Sequence, residues 1–119
     1  MAEILVLDDI PDAVGLIKKI LTRQQHNVHT FTEEEEAIAF AGQHPLDLVI
    51  LDIKLKKMSG IQVLKELKKI DPALKVIMLT GYPTVETAHQ ALNLGALEYC
   101  VKPIDKTGLE ETVATVLAR

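Results

Sequence analysis

The stretch DLVILDIKLKKMSG, which runs from Asp47 to Gly60, decides the fold class of this chain. It contains four consecutive apolar residues, Leu48 to Leu51, and Asp52 follows them directly. A continuous aliphatic run of this length is typical of a parallel strand that is covered on both faces. The sequence therefore predicts a buried strand with a carboxylate at its end.

Five short apolar runs, this one included, are spaced along the chain. They cover residues 4–7, 28–31, 46–53, 76–79 and 99–101. The segments that follow these runs are predicted to be helices, from their apolar spacing or their helix-start signals. They lie at 12–24, after Thr32, and at 61–70, 84–94 and 106–117. Five alternations of strand and helix predict an α/β domain over residues 1–119, with a parallel sheet and right-handed crossovers. The sequence NVHTF alternates in polarity, so its strand is expected nearer a sheet edge.

Local signals predict where several of these helices begin and end. Pro11 suits a first helical turn, where the missing N–H group costs no hydrogen bond. Thr32 followed by Glu35 has the spacing of a capping box, and the acidic run EEEE then falls in the first turn, where the helix dipole favours acids. Gly95 is expected to end the fourth helix.

Composition excludes several classes of protein. Of the 119 residues, 48% are apolar and 3% aromatic, so the core must be aliphatic. The net charge of −4 argues against direct nucleic-acid binding by this chain, because phosphate backbones attract basic surfaces. No apolar run approaches the ~20 residues that span a membrane, and the N-terminus lacks the basic region of a secretory signal. We therefore expect a soluble, cytoplasmic protein.

The thiol and imidazole groups indicate no catalytic or metal site. The single cysteine, Cys100, excludes an intramolecular disulfide and is expected to be a buried, unreactive thiol in the last strand. The four histidines are scattered, without the spacing of a metal-binding motif.

Polar residues follow four of the five predicted strands. Asp8 and Asp9 come after the first, Asp52 after the third, Thr80 ends the fourth, and Lys102 follows the fifth. Each residue alone has an ordinary explanation as a helix cap, a turn residue or a surface lysine. The carboxyl ends of parallel strands meet at one edge of a sheet, where ligands bind. The coincidence of all five at that edge favours a functional site.

This set of side chains suits phosphoryl transfer to a carboxylate. Neighbouring carboxylates repel one another, and a hard divalent cation such as Mg²⁺ relieves the repulsion through oxygen ligands. A lysine can balance a carboxylate or a phosphoryl group, and a threonine hydroxyl can donate a hydrogen bond to phosphoryl oxygen. An aspartate can itself be the nucleophile.

The motifs VLDD, VILDI, MSGIQVL, MLTGY and ALNLGALEYCVKPI appear in the order and spacing of response-regulator receiver domains, and the chain resembles that family over essentially its whole length. The resemblance implies a flavodoxin-like, doubly wound (βα)5 sandwich with strand order 2-1-3-4-5. It implies two-component signalling, in which a histidine kinase or phosphotransfer protein supplies a phosphoryl group. The chain would then catalyse only its own phosphorylation and slow dephosphorylation.

The resemblance also assigns roles around the acids. Asp52 would be the phosphoacceptor. Asp9, Asp52 and the backbone carbonyl of Lys54 would bind Mg²⁺ directly, and Asp8 would act through a water molecule.

Other implied roles concern the response to phosphorylation. Thr80 and Lys102 would contact the phosphoryl group, Tyr99 would be the switch residue, and the bond before Pro103 would be cis. The output face would comprise the helix at 84–94, the last strand and the last helix. It would act on an effector domain or protein, with homodimerisation on phosphorylation expected. The sequence from Leu79 to Ile104 is most similar to receivers of enhancer-binding transcription activators.

The chain departs from the family pattern in one loop. Lys56 occupies the position where proline is usual, so the loop is expected to be more mobile or more basic. Lys54 and Tyr82 fall at positions where family members vary and where dephosphorylation is tuned. Neither is an acid or amide that would position water, so slow self-hydrolysis is predicted.

Three other functions fit parts of the pattern. An aspartate-nucleophile phosphatase would show D-x-D after the first strand, whereas this chain has adjacent aspartates there. A flavodoxin-like cofactor site would not place three acids beside an FMN phosphate. A phosphorylation-independent interaction module with the receiver fold remains the main alternative, although all five pocket residues are present.

Overall fold

The computed structural model describes all 119 residues, in which five strands alternate with five helices. The strands are β1 (Glu3–Leu7), β2 (Asn27–Phe31), β3 (Leu48–Leu51), β4 (Lys75–Thr80) and β5 (Glu98–Val101). The helices are α1 (Pro11–Arg23), α2 (Glu34–Gln43), α3 (Gly60–Ile70), α4 (Val85–Asn93) and α5 (Lys106–Leu117). The alternation matches the predicted pattern, with boundaries that differ by at most a few residues.

All strand pairs are parallel, and their order β2-β1-β3-β4-β5 confirms the predicted topology. β2 is an edge strand, as its alternating polarity predicted. The register pairs Leu7 of β1 with Leu51 of β3, and Thr80 of β4 with Val101 of β5. The residues that follow these strands therefore emerge at the same edge of the sheet.

The sheet is covered on both faces by aliphatic side chains. One core cluster joins alternate strand residues such as Leu5 and Val49 to helices α2, α3 and α4. The other joins the intervening residues, such as Val6 and Ile50, to α1 and α5. Every residue of β3 is at most 1% exposed, which explains why this strand reads as an unbroken apolar run.

Several helix ends follow the local signals in the sequence. Pro11 opens α1, and Gly95 follows α4 with a φ of 99°, a left-handed conformation that glycine adopts without strain. Ser59, Thr84 and Asp105 accept hydrogen bonds from backbone N–H groups in the first turns of α3, α4 and α5. No helix is both long enough and apolar enough to cross a membrane.

The predicted capping box at Thr32 is wrong. Helix α2 begins at Glu34, so its N-cap is Glu33, and no side chain caps the helix. Thr32 precedes the N-cap by one residue, too early for its hydroxyl to act as the cap. The acids Glu34, Glu35 and Glu36 do occupy the first turn, where the helix dipole favours negative charge.

The prediction that the Cys100 thiol is buried is also wrong, because the residue is only partly buried. Cys100 lies in β5, which is an edge strand. Partial burial and the nearby charge of Glu98 still raise the pKa of the Cys100 thiol, although a hydrogen bond with Thr112 opposes the shift. A raised pKa keeps the thiol protonated and weakly nucleophilic near neutral pH.

Candidate functional site

Three carboxylates converge at the carboxyl edge of the sheet. Asp8 and Asp9 follow β1 and Asp52 follows β3, and one oxygen from each lies within 4.8 Å of the others. Asp8 and Asp52 are 2% and 5% exposed, whereas Asp9 is partly exposed. The parallel register of β1 and β3 brings the acids together, as their positions after the strands indicated.

Lys102 extends from the end of β5 toward two of these acids. Its ammonium group contacts Asp8 closely and lies 3.0 Å from an oxygen of Asp52. Partial burial opposes the positive charge of Lys102, but the hydrogen bonds that its ammonium group donates to Asp8 and Asp52 outweigh this effect, so the pKa of Lys102 is raised. One ammonium group cannot neutralise three carboxylates, and Asp9 forms no ion pair with Lys102. The site therefore retains excess negative charge.

Backbone N–H groups orient the Asp52 carboxylate. The N–H of Ile53 donates to Oδ1 of Asp52 at 2.7 Å, and the N–H of Lys54 approaches the same atom at 3.4 Å. The other oxygen, Oδ2, faces Lys102. Asp8 also serves as a turn residue, because its Oδ1 accepts a hydrogen bond from Ile10 at 3.0 Å. Asp8 therefore stabilises the turn through Oδ1 and contacts Lys102 in the site through Oδ2.

A cleft of about 360 Å³ opens beside the acids. Its lining residues are Asp9, Ile10, Asp52, Lys54, Gly81, Tyr82 and Lys102. A larger cleft of about 450 Å³ lies at the opposite end of the sheet, where Asp47 is the only acid. The smaller cleft is the better candidate, because two of the clustered carboxylates, Asp9 and Asp52, line it together with Lys102.

Thr80 lies at the end of β4 and is fully buried. Its hydroxyl accepts a hydrogen bond from the N–H of Tyr82 at 3.1 Å. Thr80 does not line the cleft, so its hydroxyl is near the site but is engaged with the backbone of the next loop. The peptide bond between Lys102 and Pro103 is cis.

Two loops meet across the cleft through Lys54 and Tyr82. The ammonium nitrogen of Lys54 lies 4.2 Å from the ring centroid of Tyr82, within the range of a cation–π interaction. Lys54 belongs to the β3–α3 loop, residues 52–59, and Tyr82 to the loop between β4 and α4. Both residues line the cleft.

Tyr99 in β5 contacts α4 rather than the cleft. Its hydroxyl oxygen lies 2.9 Å from Oγ1 of Thr87, which is also 2.8 Å from Oγ1 of Thr84. In the sheet Tyr99 pairs with Met78, two residues before Thr80. The predicted switch residue is thus joined by a hydrogen bond to the first turns of α4.

Sequence reasoning missed Glu34, which contacts the β3–α3 loop. Glu34 is 1% exposed, and its Oε2 accepts hydrogen bonds from the backbone N–H groups of Lys57 and Met58. The residue stands in a run of four glutamates, and nothing in that run distinguishes a buried acid from solvated ones.

Comparisons with known proteins agree with this fold. Residues 4–114 match the family described as Response regulator receiver domain. The transcriptional regulatory protein ZraR of Salmonella typhimurium is 36% identical over 116 residues, which are 98% of this chain and 26% of that protein. A CheY-like receiver domain protein from Methanospirillum hungatei has a TM-score of 0.96 and 31% identity, with 99% of this chain and 94% of that chain covered.

A third similar structure is a response regulator from Burkholderia pseudomallei, described with a phosphorylated aspartic acid, a calcium ion and citrate. It has a TM-score of 0.88 and 28% identity, with 98% of this chain and 66% of that chain covered.

The chain belongs to the response regulator receiver domain family, whose members act in two-component signalling. It spans about a quarter of the length of the curated relatives it matches, 26% in the case of ZraR.

Proposed function

We propose that this receiver accepts a phosphoryl group on Asp52 in a Mg²⁺-dependent reaction. The donor is a phosphohistidine on a histidine kinase or phosphotransfer protein, met in the cytoplasm. The observation that carries the proposal is the convergence of Asp52 with Asp8, Asp9 and Lys102 beside one open cleft. The phosphorylated aspartic acid and calcium ion described for the Burkholderia pseudomallei regulator support the same chemistry on this fold.

The donor set fits Mg²⁺. The three acids supply hard oxygen ligands within 4.8 Å of one another, and their charge exceeds what Lys102 can neutralise. Asp9, Asp52 and the carbonyl of Lys54 would bind the ion directly, and Asp8 through a water molecule. When bound, Mg²⁺ would lower the repulsion between the carboxylates and the incoming phosphoryl oxygens.

The transfer step requires little covalent chemistry from the protein. A carboxylate oxygen of Asp52 forms a P–O bond while the P–N bond to the donor imidazole breaks. The imidazole nitrogen keeps the electron pair of that bond and takes up a proton. Lys102, already 3.0 Å from Asp52, can then pair with the new phosphoryl group. The contribution of the protein is mainly to position the nucleophile and to balance charge.

The signal leaves through α4, β5 and α5 in this proposal. The Thr80 hydroxyl turns from the N–H of Tyr82 toward the phosphoryl group, and Tyr99 then moves into the space beside Thr80. A shift from 1:99 to 99:1 between two states needs about 5.5 kcal/mol of differential stabilisation. New contacts from Thr80 and Lys102 to a charged group can supply much of that energy.

The recipient of the signal is proposed from the relatives. Transcriptional regulators such as ZraR contain a matching segment within a chain about four times longer, since the match is 26% of ZraR. We infer a transcription-regulating effector of the enhancer-binding type, with homodimerisation through the output face on phosphorylation.

The test is intact-protein mass spectrometry after incubation with acetyl phosphate, with and without Mg²⁺, on wild type and Asp52→Asn. A Mg²⁺-dependent gain of one phosphoryl group that is absent in the variant supports the proposal and identifies the residue. No gain, with Mg²⁺ still bound, would show that only a protein donor serves. No gain and no Mg²⁺ binding would overturn the proposal in favour of a phosphorylation-independent interaction module.

A further inference from the structure

The carboxylate of Glu34 joins helix α2 to the β3–α3 loop. Its Oε2 accepts hydrogen bonds from two successive backbone N–H groups, of Lys57 at 2.5 Å and of Met58 at 2.9 Å. The residues are more than twenty positions apart in sequence, so the contact is tertiary. Hydrogen bonds to an ionised acceptor are stronger than neutral ones.

Glu34 is buried as an ion. Burial opposes the negative charge, but the N–H groups of Lys57 and Met58 outweigh this effect and hold the pKa of Glu34 below its ordinary value. Its other oxygen, Oε1, is buried without a hydrogen-bond partner. An incompletely paired carboxylate at this depth is costly, so the two amide contacts to the loop are its main compensation.

Of the backbone N–H groups of residues 55–58 in the β3–α3 loop, only those of Lys57 and Met58 form hydrogen bonds, both to Glu34, and the side chains of Leu55 and Met58 pack against the core. Residues 52–59 contain neither proline nor glycine, and they include three lysines, at positions 54, 56 and 57. At its far end, the N–H of Gly60 donates to the carbonyl of Ile53 at 2.6 Å and closes the loop on itself. The Glu34 contact therefore supplies a fixed point between the site residues and α3.

The same loop carries two of the groups assigned to the cation. Asp52 begins the loop, and the carbonyl of Lys54 lies three residues before the first amide that Glu34 binds. A displacement of Lys57 and Met58 would change the direction of the backbone between Lys54 and Lys57. It would thereby move the Lys54 carbonyl relative to the carboxylates.

We propose that Glu34 is a positioning residue for the cation site, which it serves by fixing the β3–α3 loop from helix α2. The inference rests on the proposed function, because it concerns the same Mg²⁺ ligands. Glu34 itself touches neither the ion nor the phosphoryl group.

The chain offers a matched control in Glu33. Glu33 precedes Glu34, and its carboxylate pairs with the side chain of Lys56 at 3.3 Å in an exposed salt bridge. Glu33→Gln thus removes the same charge from the adjacent position and weakens a contact to the same loop. Exposed pairs of this kind contribute little to stability, so its effect should be small.

The experiment measures Mg²⁺ affinity by titration calorimetry in wild type, Glu34→Ala, Glu34→Gln and Glu33→Gln. Amide hydrogen exchange at Lys57 and Met58 is followed by NMR without Mg²⁺ in the same proteins. We expect Glu34→Ala to weaken Mg²⁺ binding about tenfold, the lower end for residues that orient metal ligands. Glu34→Gln keeps one acceptor oxygen and should lose less, and Glu33→Gln should stay within about twofold of wild type. Exchange at both amides should accelerate only in the Glu34 variants.

The possible failures are distinguishable. A residue that only stabilised the fold would lower the unfolding temperature and leave the Mg²⁺ affinity of the folded protein unchanged, which would overturn the inference. Unchanged amide exchange in Glu34→Ala would overturn it as well. If wild type bound Mg²⁺ and accepted a phosphoryl group while Glu34→Ala equalled it, the inference alone would fail. If wild type did neither, the proposed function would fail first and the inference with it.

Discussion

The hydroxyl groups of Tyr99 and Thr87 lie 2.9 Å apart and join strand β5 to helix α4. Thr87 also contacts the Thr84 hydroxyl at the start of the helix. In the proposed switch the Tyr99 ring moves toward Thr80, so this hydrogen bond must break. The bond therefore favours the conformation seen here and, if Tyr99 acts as proposed, opposes activation.

Thr87→Val tests this coupling, because valine keeps the shape of threonine but cannot hydrogen-bond. A hydrogen bond of this kind contributes about 1 kcal/mol, so the inward population of Tyr99 should rise about fivefold. NMR of selectively labelled tyrosine and phenylalanine rings, before and after acetyl phosphate, would measure the position of the ring at residue 99 in each protein. Tyr99→Phe removes the other hydroxyl of the same hydrogen bond. The effects of the two substitutions on the inward population of the ring at residue 99 should therefore not be additive. Additive effects would show that the hydroxyls are not coupled.

Gly60→Ala should distort the proposed phosphorylation site. A β-carbon at Gly60 would lie 1.9 Å from the carbonyl oxygen of Asp52, and the nearest atoms belong to the backbone. We expect a loss of about 3 kcal/mol in the free energy of unfolding, the upper end for overpacking, together with slower phosphorylation. Urea unfolding and the acetyl phosphate assay measure the two effects.

Gly15→Ala is the control for that substitution. Gly15 lies within α1, and nothing would come within 4 Å of an added β-carbon. It should stabilise the protein by about 0.5–1 kcal/mol, because alanine is the better helix former. Similar responses at Gly15 and Gly60 would refute the packing explanation.

Lys102→Ala should lower the free energy of unfolding, and added Mg²⁺ should restore part of the loss. The substitution leaves the carboxylates of Asp8 and Asp52, which are almost completely buried, without their cation. We expect a loss of about 1–3 kcal/mol without Mg²⁺. Thermal unfolding should show a larger stabilisation by Mg²⁺ in the variant than in wild type. Lys106→Ala, which breaks an exposed pair with Glu110, should show no such difference.

The free energy of unfolding should fall at acid pH because Glu34 is ionised in the folded protein. Its pKa in the folded protein lies below the ordinary value of 4.5, so as pH falls the unfolded chain takes up the proton first. The ionised carboxylate therefore contributes stability that is complete above about pH 4.5 and is lost as pH falls through the folded pKa. Urea unfolding across this range should show wild type losing more stability than Glu34→Gln. Parallel curves for the two proteins would contradict a buried, ionised Glu34.

The phosphoryl group on Asp52 should be long-lived, because the Lys54–Tyr82 contact restricts one side of the cleft and offers no group that positions water. Tyr82→Glu should shorten the lifetime by introducing a carboxylate that can orient a water molecule. Tyr82→Phe keeps the ring and the cation–π contact and should leave the lifetime unchanged. Decay of the phosphorylated mass after removal of acetyl phosphate provides the measurement. An unchanged lifetime in Tyr82→Glu would refute slow self-hydrolysis set by this residue.

Much of the fold was predictable because parallel strands have a simple signature. The unbroken run from Leu48 to Leu51 indicated burial on both faces, and its residues are at most 1% exposed. The alternation in NVHTF identified an edge strand. The order of the strands came from resemblance to a family, since alternating strands and helices alone are compatible with several orders.

The two wrong predictions, at Thr32 and Cys100, relied on local sequence rules, whereas the outcome depended on tertiary structure. Thr32 and Glu35 have capping-box spacing, yet α2 begins too late for the Thr32 hydroxyl to cap it. Its position within the last strand predicts a buried Cys100, but β5 has no strand on its outer side and the residue is only partly buried.

The positions of the charged residues along the chain were enough to predict which edge of the sheet carries the candidate site. Asp8, Asp9, Asp52 and Lys102 follow parallel strands, and parallel strands end at the same edge whatever their order. The burial of Glu34 against the β3–α3 loop, by contrast, could not be read from four consecutive glutamates and depends on how the elements pack. Sequence spacing describes neighbours along one element, whereas this contact joins two segments that meet only when helices α2 and α3 pack on the same face of the sheet.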